Sequence, residues 1–356
     1  MSHFVGPADG TSPLAGLLLD STGNLYGTTE KGGPANAGIV FRISASGQET
    51  ILYSFKGAPD GAYPSGPYGG VVRDSAGNLY GTTSAGGAAG LGMVYKLDAN
   101  GQETVLHSFT GSPDGSAPLA GVIRDSAGNL YGTTSSGGTS NYGTVFELDA
   151  SGHETILHSF RSDPDGATPY AGVIRDAAGN LYGTTFPGGF FNSGIVYELD
   201  AAGHETVLWT FRGPTGDDGS FPYAGVVLDE AGNLYGTTSN GGTFNSLGAV
   251  YEIDAAGKET MLYAFAFPGA NGLEPTAGLI LDAAGNLYGT AGGGAFGNGV
   301  VFELSPAGIE TVLYSFTGRD GSGPYSGVVR DSAGNLYGTT ASGGTENAGV
   351  VYKIAP

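Results

Sequence analysis

The chain has 356 residues, 68 of them glycine and none cysteine, with 33 acidic against 13 basic side chains for a formal net charge of −20. No disulfide framework or thiolate metal site can form, and a field of this sign repels nucleic acid and anionic membranes, so neither is an expected partner. Glycine without a three-residue period, in a chain that is 40% apolar, excludes collagen and disorder and points to many turns. No apolar run approaches the roughly 18 residues that a membrane helix needs, so no membrane insertion is expected. The opening MSHFVGPADG lacks the basic and apolar regions of a signal peptide.

In chain order, the first recognisable segment is HFVGPADGTSPLAG, which aligns with SFTGSPDGSAPLAG at 108–121. The sequence DSTGNLYGTT follows at 20–29. Close copies begin at Asp74, Asp125, Asp176, Asp229, Asp282 and Asp331, and their tyrosines are 54, 51, 51, 53, 53 and 49 residues apart. A period near 50 marks a repeat architecture. The third unit contains four short runs rich in β-branched and aromatic residues, AGVIRD, NLYGTT, GTVFELD and ETILHSF. The tight turns DSAG and DASG separate the first from the second and the third from the fourth, the pattern of β-hairpins. No segment shows helical spacing over the 10–12 residues a helix needs. Each unit therefore reads as an antiparallel meander of strands A to D.

One such sheet is marginal alone, so the seven must pack on one another as a closed propeller or an open solenoid. The ends decide between them. The chain begins with the end of a D strand and stops at GVVYKIAP after strands A, B and C. The fragments complement each other, which predicts an all-β, seven-bladed β-propeller whose last blade is completed by residues 2–4. The predicted blades are 14–55, 68–109, 119–160, 170–211, 223–265, 276–316 and 325–354 plus 2–4, all in one domain spanning 1–356.

The recurring DxxGNLYGTT…GG…GxVFxLD..G.ETVLYSF resembles the GloVer tandem-repeat family of bacterial proteins, over nearly the whole chain. The resemblance implies a propeller-like fold and a place outside the cell or on its surface. It implies no catalytic residues.

The repeated residues are read as architecture. The seven tyrosines are expected between blades with their hydroxyls bonded to backbone, and Gly132 and its equivalents allow close approach. The motif Asp and Asn are expected to cap turns. Arg73, Arg124, Arg175 and Arg330 end four A strands and are expected as salt-bridged wall residues. Asp9, Asp60, Asp114, Asp165, Asp218 and Asp320, with Asn271, mark the D–A loops. They are the one place where calcium could bind, but a single carboxylate per loop is sparse. No cofactor and no metal ligand set is read. His107 and His158 fall on D strands at the outer rim, where they cannot meet at the axis. The Glu–Thr pairs that open the D strands are read as charged edge guards.

Function is sought where the repeats differ. The fourth B–C loop reads FPGGFFNSG at 186–194, and the fifth contains Phe244 and Asn245; the D–A loop between them carries Asp218, Phe221 and Tyr223. Phe186, Phe190, Phe191, Asn192, Asp218, Phe221, Phe244 and Asn245 are thus the candidate ligand site on one face of blades four and five, the other reading being that the phenylalanines fold back over the blade tops as satellite core. Aromatic faces beside polar groups would suit a sugar ring. The expected function is a monomeric, non-enzymatic scaffold that binds a glycan or protein. The alternatives are a lyase or hydrolase of polysaccharide using acids at the channel mouth, and a purely structural module of a surface protein.

Overall fold

In a computed structural model, which describes residues 2–64, 70–213, 217–242, 246–266 and 269–356, the four runs of each repeat pair as antiparallel meanders, and seven of these sheets close into a ring. Blade one comprises Leu18–Leu19, Leu25–Thr29, Ile39–Ile43 and Glu49–Ser54; blade two Val72–Arg73, Leu79–Ala85, Met93–Leu97 and Glu103–Ser108; blade three Ile123–Arg124, Leu130–Thr134, Thr144–Leu148 and Glu154–Ser159. Blade four has Ile174–Arg175, Leu181–Thr185, Ile195–Leu199 and Glu205–Thr210; blade five Val227–Leu228, Leu234–Thr238, Ser246–Ile253 and Glu259–Ala266; blade six Ile280–Leu281, Leu287–Ala291, Val300–Leu304 and Glu310–Ser315. In blade seven, Val329–Arg330, Leu336–Thr340 and Val350–Ile354 are completed by Ser2–His3. Ser2 pairs with Val351 and His3 with Val350, so the N-terminal segment supplies the outer strand that the sequence assigned to it. No helix occurs among the described residues, so none there could cross a membrane.

Aromatic packing between blades makes the ring. The phenylalanine that ends each D strand sits edge-on against the strand C aromatic of the next blade. The pairs are Phe4–Phe41, Phe55–Tyr95, Phe109–Phe146, Phe160–Tyr197, Phe211–Tyr251, Phe265–Phe302 and Phe316–Tyr352, with centroids 5.0–5.3 Å apart. All are buried. Phe4 closes the circle against blade one. The glycine after each motif tyrosine makes room for the strand C ring: a methyl group at Gly132 would lie 2.7 Å from Phe146.

The motif threonines tie the blades together by hydrogen bonds. The hydroxyl of Thr82, Thr133, Thr184 and Thr237 donates to the carbonyl of Ala120, Ala171, Ala224 and Ala277 in the following blade, at 2.7–3.0 Å. Thr339 donates to Ala15 across the closure. The accepting carbonyl lies three residues before strand A of the following blade, so each bond anchors the entry to that strand.

The motif aspartates are turn caps, as expected. Asp125 accepts the amides of Gly128 and Asn129 at 2.8 and 2.9 Å. The tyrosine hydroxyls, however, bond not to backbone but to these same aspartates. All seven do so at 3.0–3.3 Å, from Tyr26–Asp20 to Tyr337–Asp331. A carboxylate already held by the turn is a stronger acceptor than a carbonyl. These bonds overcome the opposing effect of burial and hold carboxyls such as Asp125 and Asp229 below the ordinary range. Arg73, Arg124, Arg175 and Arg330 lie over the rings of Tyr26, Tyr80, Tyr131 and Tyr288 of the preceding blade, 5.4–5.7 Å from their centroids. Only Arg330 approaches an aspartate, Asp282 at 3.9 Å. Cation–π stacking, more than ion pairing, places them.

At the axis the chains are in backbone contact. A methyl group on Gly121 would stand 2.6 Å from the Gly70 carbonyl oxygen, whereas one on Gly278 meets nothing within 4 Å. Gly121→Ala is therefore expected to lower the urea midpoint, because backbone on both sides cannot yield. Gly278→Ala should leave it unchanged or raise it slightly through the unfolded chain. Equal loss in both would show that the axis does not depend on this approach. The closure gives a second test. Phe4→Ala should cost about 3 kcal/mol of unfolding free energy, the lower end for a buried phenylalanine, while Val5→Ala, 63% exposed, should stay within about 0.5 kcal/mol.

Candidate functional site

The B–C and D–A loops emerge on one face, and in several blades they pair with each other there. Ala62 opposes Ala85, Gly115 opposes Gly137, and Ser220 opposes Asn240. Phe186 lies at the centre of an aromatic cluster on this face. It stacks on Tyr223 at 4.2 Å and 25°, and meets Phe221 edge-on at 4.9 Å and Tyr170 at 5.4 Å. Tyr170 and Tyr223 are themselves 5.6 Å apart. All four rings are half-buried. Three segments meet here: the B–C loop of blade four and the chain leading into strand A of blades four and five.

The backbone of Phe221 is clamped at φ 63°, its amide on the Ser193 carbonyl and its carbonyl on the Ser239 amide. Positive φ in a bulky residue is strained. Ser12, Tyr63, Ala117, Thr168 and Glu274 share this register and this conformation, so the strain belongs to the fold and not to one site.

Phe190 and Phe191 form a second group at the loop tip, 5.0 Å apart and edge-on. They are 74% and 49% exposed. The polar residues assigned beside them have loop duties. Asn192 accepts the Gly188 amide at 3.2 Å, as Asn36, Asn141 and Asn347 do for Gly32, Gly137 and Gly343. Asp218 is buried and accepts from Trp209 Nε1 and the Arg212 amide. Phe244 and Asn245 lie outside the described residues. Sequence reasoning missed Tyr170 and the exposed loop-face aromatics Tyr142, Phe296 and Tyr325. A signal existed for two of them: PYAG replaces PLAG at 169–172, and PYSG does so at 324–327.

The axial cavity, about 320 Å³, is lined by Gly16, Gly121, Gly225, Val122, Ile123 and their equivalents, with no acid, base or nucleophile among its lining side chains.

A third repeated arrangement lies at the outer rim, in the clefts between blades. There the D-strand residue before Ser–Phe meets the D–A aspartate and the glutamate that opens the next D strand. The aspartate caps the loop, and in three clefts it takes a bond from the D-strand side chain: Tyr53 donates to Asp60 and Tyr314 to Asp320 at 2.5 Å, and Trp209 to Asp218 at 3.3 Å. A bulge at the leucine two residues before Ser recurs in the D strands, as between Val105 and His107, and re-aims the following side chain. The glutamates are thus not free edge guards but are half-buried against the preceding blade. Burial first, and a facing aspartate second, push Glu49, Glu103 and Glu259 from about 4.5 up to about 7.

The sign of the pH dependence follows from these shifts. A carboxyl whose folded pKa is raised contributes stability below its unfolded pKa, and that contribution is lost as pH rises through about 7. Glu49 faces Asp9 and Ser2, Glu103 faces Asp60 and Lys56, and Glu259 faces Asp218 and Arg212. The melting temperature should therefore fall between pH 5 and pH 8. The Glu49→Gln/Glu103→Gln/Glu259→Gln protein should show a flatter profile, and an identical slope would remove these residues as the cause.

Comparisons with known proteins agree with this architecture. No curated protein matches the sequence. Streptogramin B lyase superposes with a TM-score of 0.63 at 12% identity, over 99% of this chain and 96% of that one. A puromycin hydrolase gives 0.64 at 14%, over 99% and 53%. PorZ, a surface component of the type-IX secretion system of Porphyromonas gingivalis, gives 0.59 at 15%, over 100% and 48%. The chain thus spans about half of each of the last two proteins, and at these identities the likeness is one of fold. The Gloeobacter/Verrucomicrobia repeat matches residues 65–226 and 174–356, which cover the tyrosine motifs of blades two to seven, and the chain belongs to that repeat family.

Proposed function

We propose that this propeller is an exported, non-enzymatic scaffold that binds a glycan through the loop face of blades four and five. The observation that carries this reading is the aromatic surplus there. Phe186, Phe221, Tyr223 and Tyr170 form a half-buried platform, and Phe190 and Phe191 stand in solvent beyond it. Holding two adjacent phenylalanines in water costs free energy that loops without aromatic residues, such as EKGGPANAG at 30–38 and ASGGTENAG at 341–349, avoid. Stacking on a sugar ring would recover it. The apolar lining of the axial cavity supports a binding role over the lyase or hydrolase alternative. Export is supported by the family resemblance and by the surface location of PorZ.

A glycan array with the purified protein, followed by titration calorimetry on the best hit, tests the reading. Phe190→Ser/Phe191→Ser should leave the melting temperature nearly unchanged and weaken binding at least tenfold. Unaltered binding in that protein, or no glycan bound by the wild type, would sink the assignment.

A further inference from the structure

At two neighbouring rim clefts the D-strand residue is histidine. His107 of blade two meets Asp114 and Glu154, and His158 of blade three meets Asp165 and Glu205, each set holding its donor atoms within 4.8 Å of one another. We propose that these two clefts are structural sites for a divalent cation of the zinc class, clamping blade two to blade three and blade three to blade four.

The geometry favours a metal over a plain ion pair. His107 Nε2 lies 3.4 Å from Asp114 Oδ2 and 3.8 Å from Glu154 Oε1, and His158 Nε2 lies 3.3 Å from Asp165 Oδ2. These separations exceed the usual 2.9–3.0 Å of an N–H···O bond. The two histidine–aspartate separations match the spacing of about 3.3–3.6 Å between ligands held at 2.0–2.2 Å on a tetrahedral ion, and the glutamates, Glu154 at 3.8 Å and Glu205 within 4.8 Å, would be drawn in by the ion. Both Nε2 atoms are buried and have no hydrogen-bond partner in the protein, and they face a glutamate Oε1 that is unpartnered here as it is in the other rim clefts. The imidazole side chains are only 20% and 12% exposed, and each is braced edge-on by a phenylalanine, Phe109 or Phe160. Asp114 is oriented by the Thr110 amide and hydroxyl, and Asp165 by the Arg161 amide, the outer support that metal ligands commonly have. A neutral imidazole with two carboxylates carries two negative charges, which a dication balances. One nitrogen and two oxygens suit zinc better than calcium, which takes six to eight oxygens.

The remaining interfaces are natural controls. Their register holds Ser2, Tyr53, Trp209, Tyr263 or Tyr314, and Tyr53 and Tyr314 instead donate a hydroxyl to the aspartate. Tyrosine is thus tolerated at this position, and His→Tyr removes the ligand without emptying the cleft.

The test uses tag-free full chain, stripped with EDTA and dialysed against zinc, manganese or calcium, with bound metal measured by mass spectrometry. Two zinc ions per wild-type chain are expected, one in His158→Tyr and none in His107→Tyr/His158→Tyr. Zinc should raise the melting temperature of the wild type but not of the double variant, whose midpoint in EDTA should match the wild type. If the double variant fails to fold, Glu154→Gln/Glu205→Gln gives the same readout. A wild type that retains no zinc would reduce the clusters to histidine–aspartate ion pairs. A double variant that still binds two ions, or calcium displacing zinc at equal concentration, would equally overturn the proposal.

Discussion

Closure of a ring from seven separately weak sheets requires that every blade offer the next one the same contact. The D-strand phenylalanine against the strand C aromatic meets that requirement. It is buried at every interface, and it recurs at 5.0–5.3 Å around the circle. The glycine beneath each strand C ring, the threonine reaching the next blade and the tyrosine held by its turn aspartate all serve to keep that contact in register. An error in one interface would accumulate around the ring, because the last blade must meet the first. The seven near-identical motifs follow from this geometry.

The same constraint says where the protein can vary. Residues that project above the blades, or that fill the rim clefts, do not set the interblade distance. The loop tip that carries Phe190 and Phe191 and the D-strand register that carries Tyr, His, Trp or Ser are such places. Diversity at both is compatible with an unchanged ring. At the ring position of strand C only Phe and Tyr occur, since Gly132 and its equivalents leave room for one ring and no more.

Charge is organised on the same plan. The turn aspartates stay ionised because amides, asparagine and tyrosine surround them. The rim glutamates are pressed by burial towards the neutral form beside another carboxylate. A chain with net charge −20 thus keeps its surface acids solvated and places a smaller set at interfaces, where protonation or a cation relieves repulsion. The rim is therefore where pH and metal ions act on stability.

The blade number, the meander, the turn caps and the completion of the last blade by residues 2–4 were legible in the sequence. Period, alternation and turn residues are local properties, and complementary ends are visible by alignment. The aromatic character of the loop face was legible too, as FPGGFFNSG against the plainer loops. What pairs with what across blades was not. The Phe186–Tyr223 stack and the arginines lying over tyrosines of the preceding blade join residues tens of positions apart, and the tyrosine hydroxyl on the aspartate six residues before it, instead of on backbone, depends on how the hairpin folds back. The rim trios join His107 to Glu154 across 47 residues of chain. Sequence determined each blade because a hairpin is specified by its own residues. Only the tertiary structure decided the contacts between blades, because they depend on the angle at which one sheet meets the next.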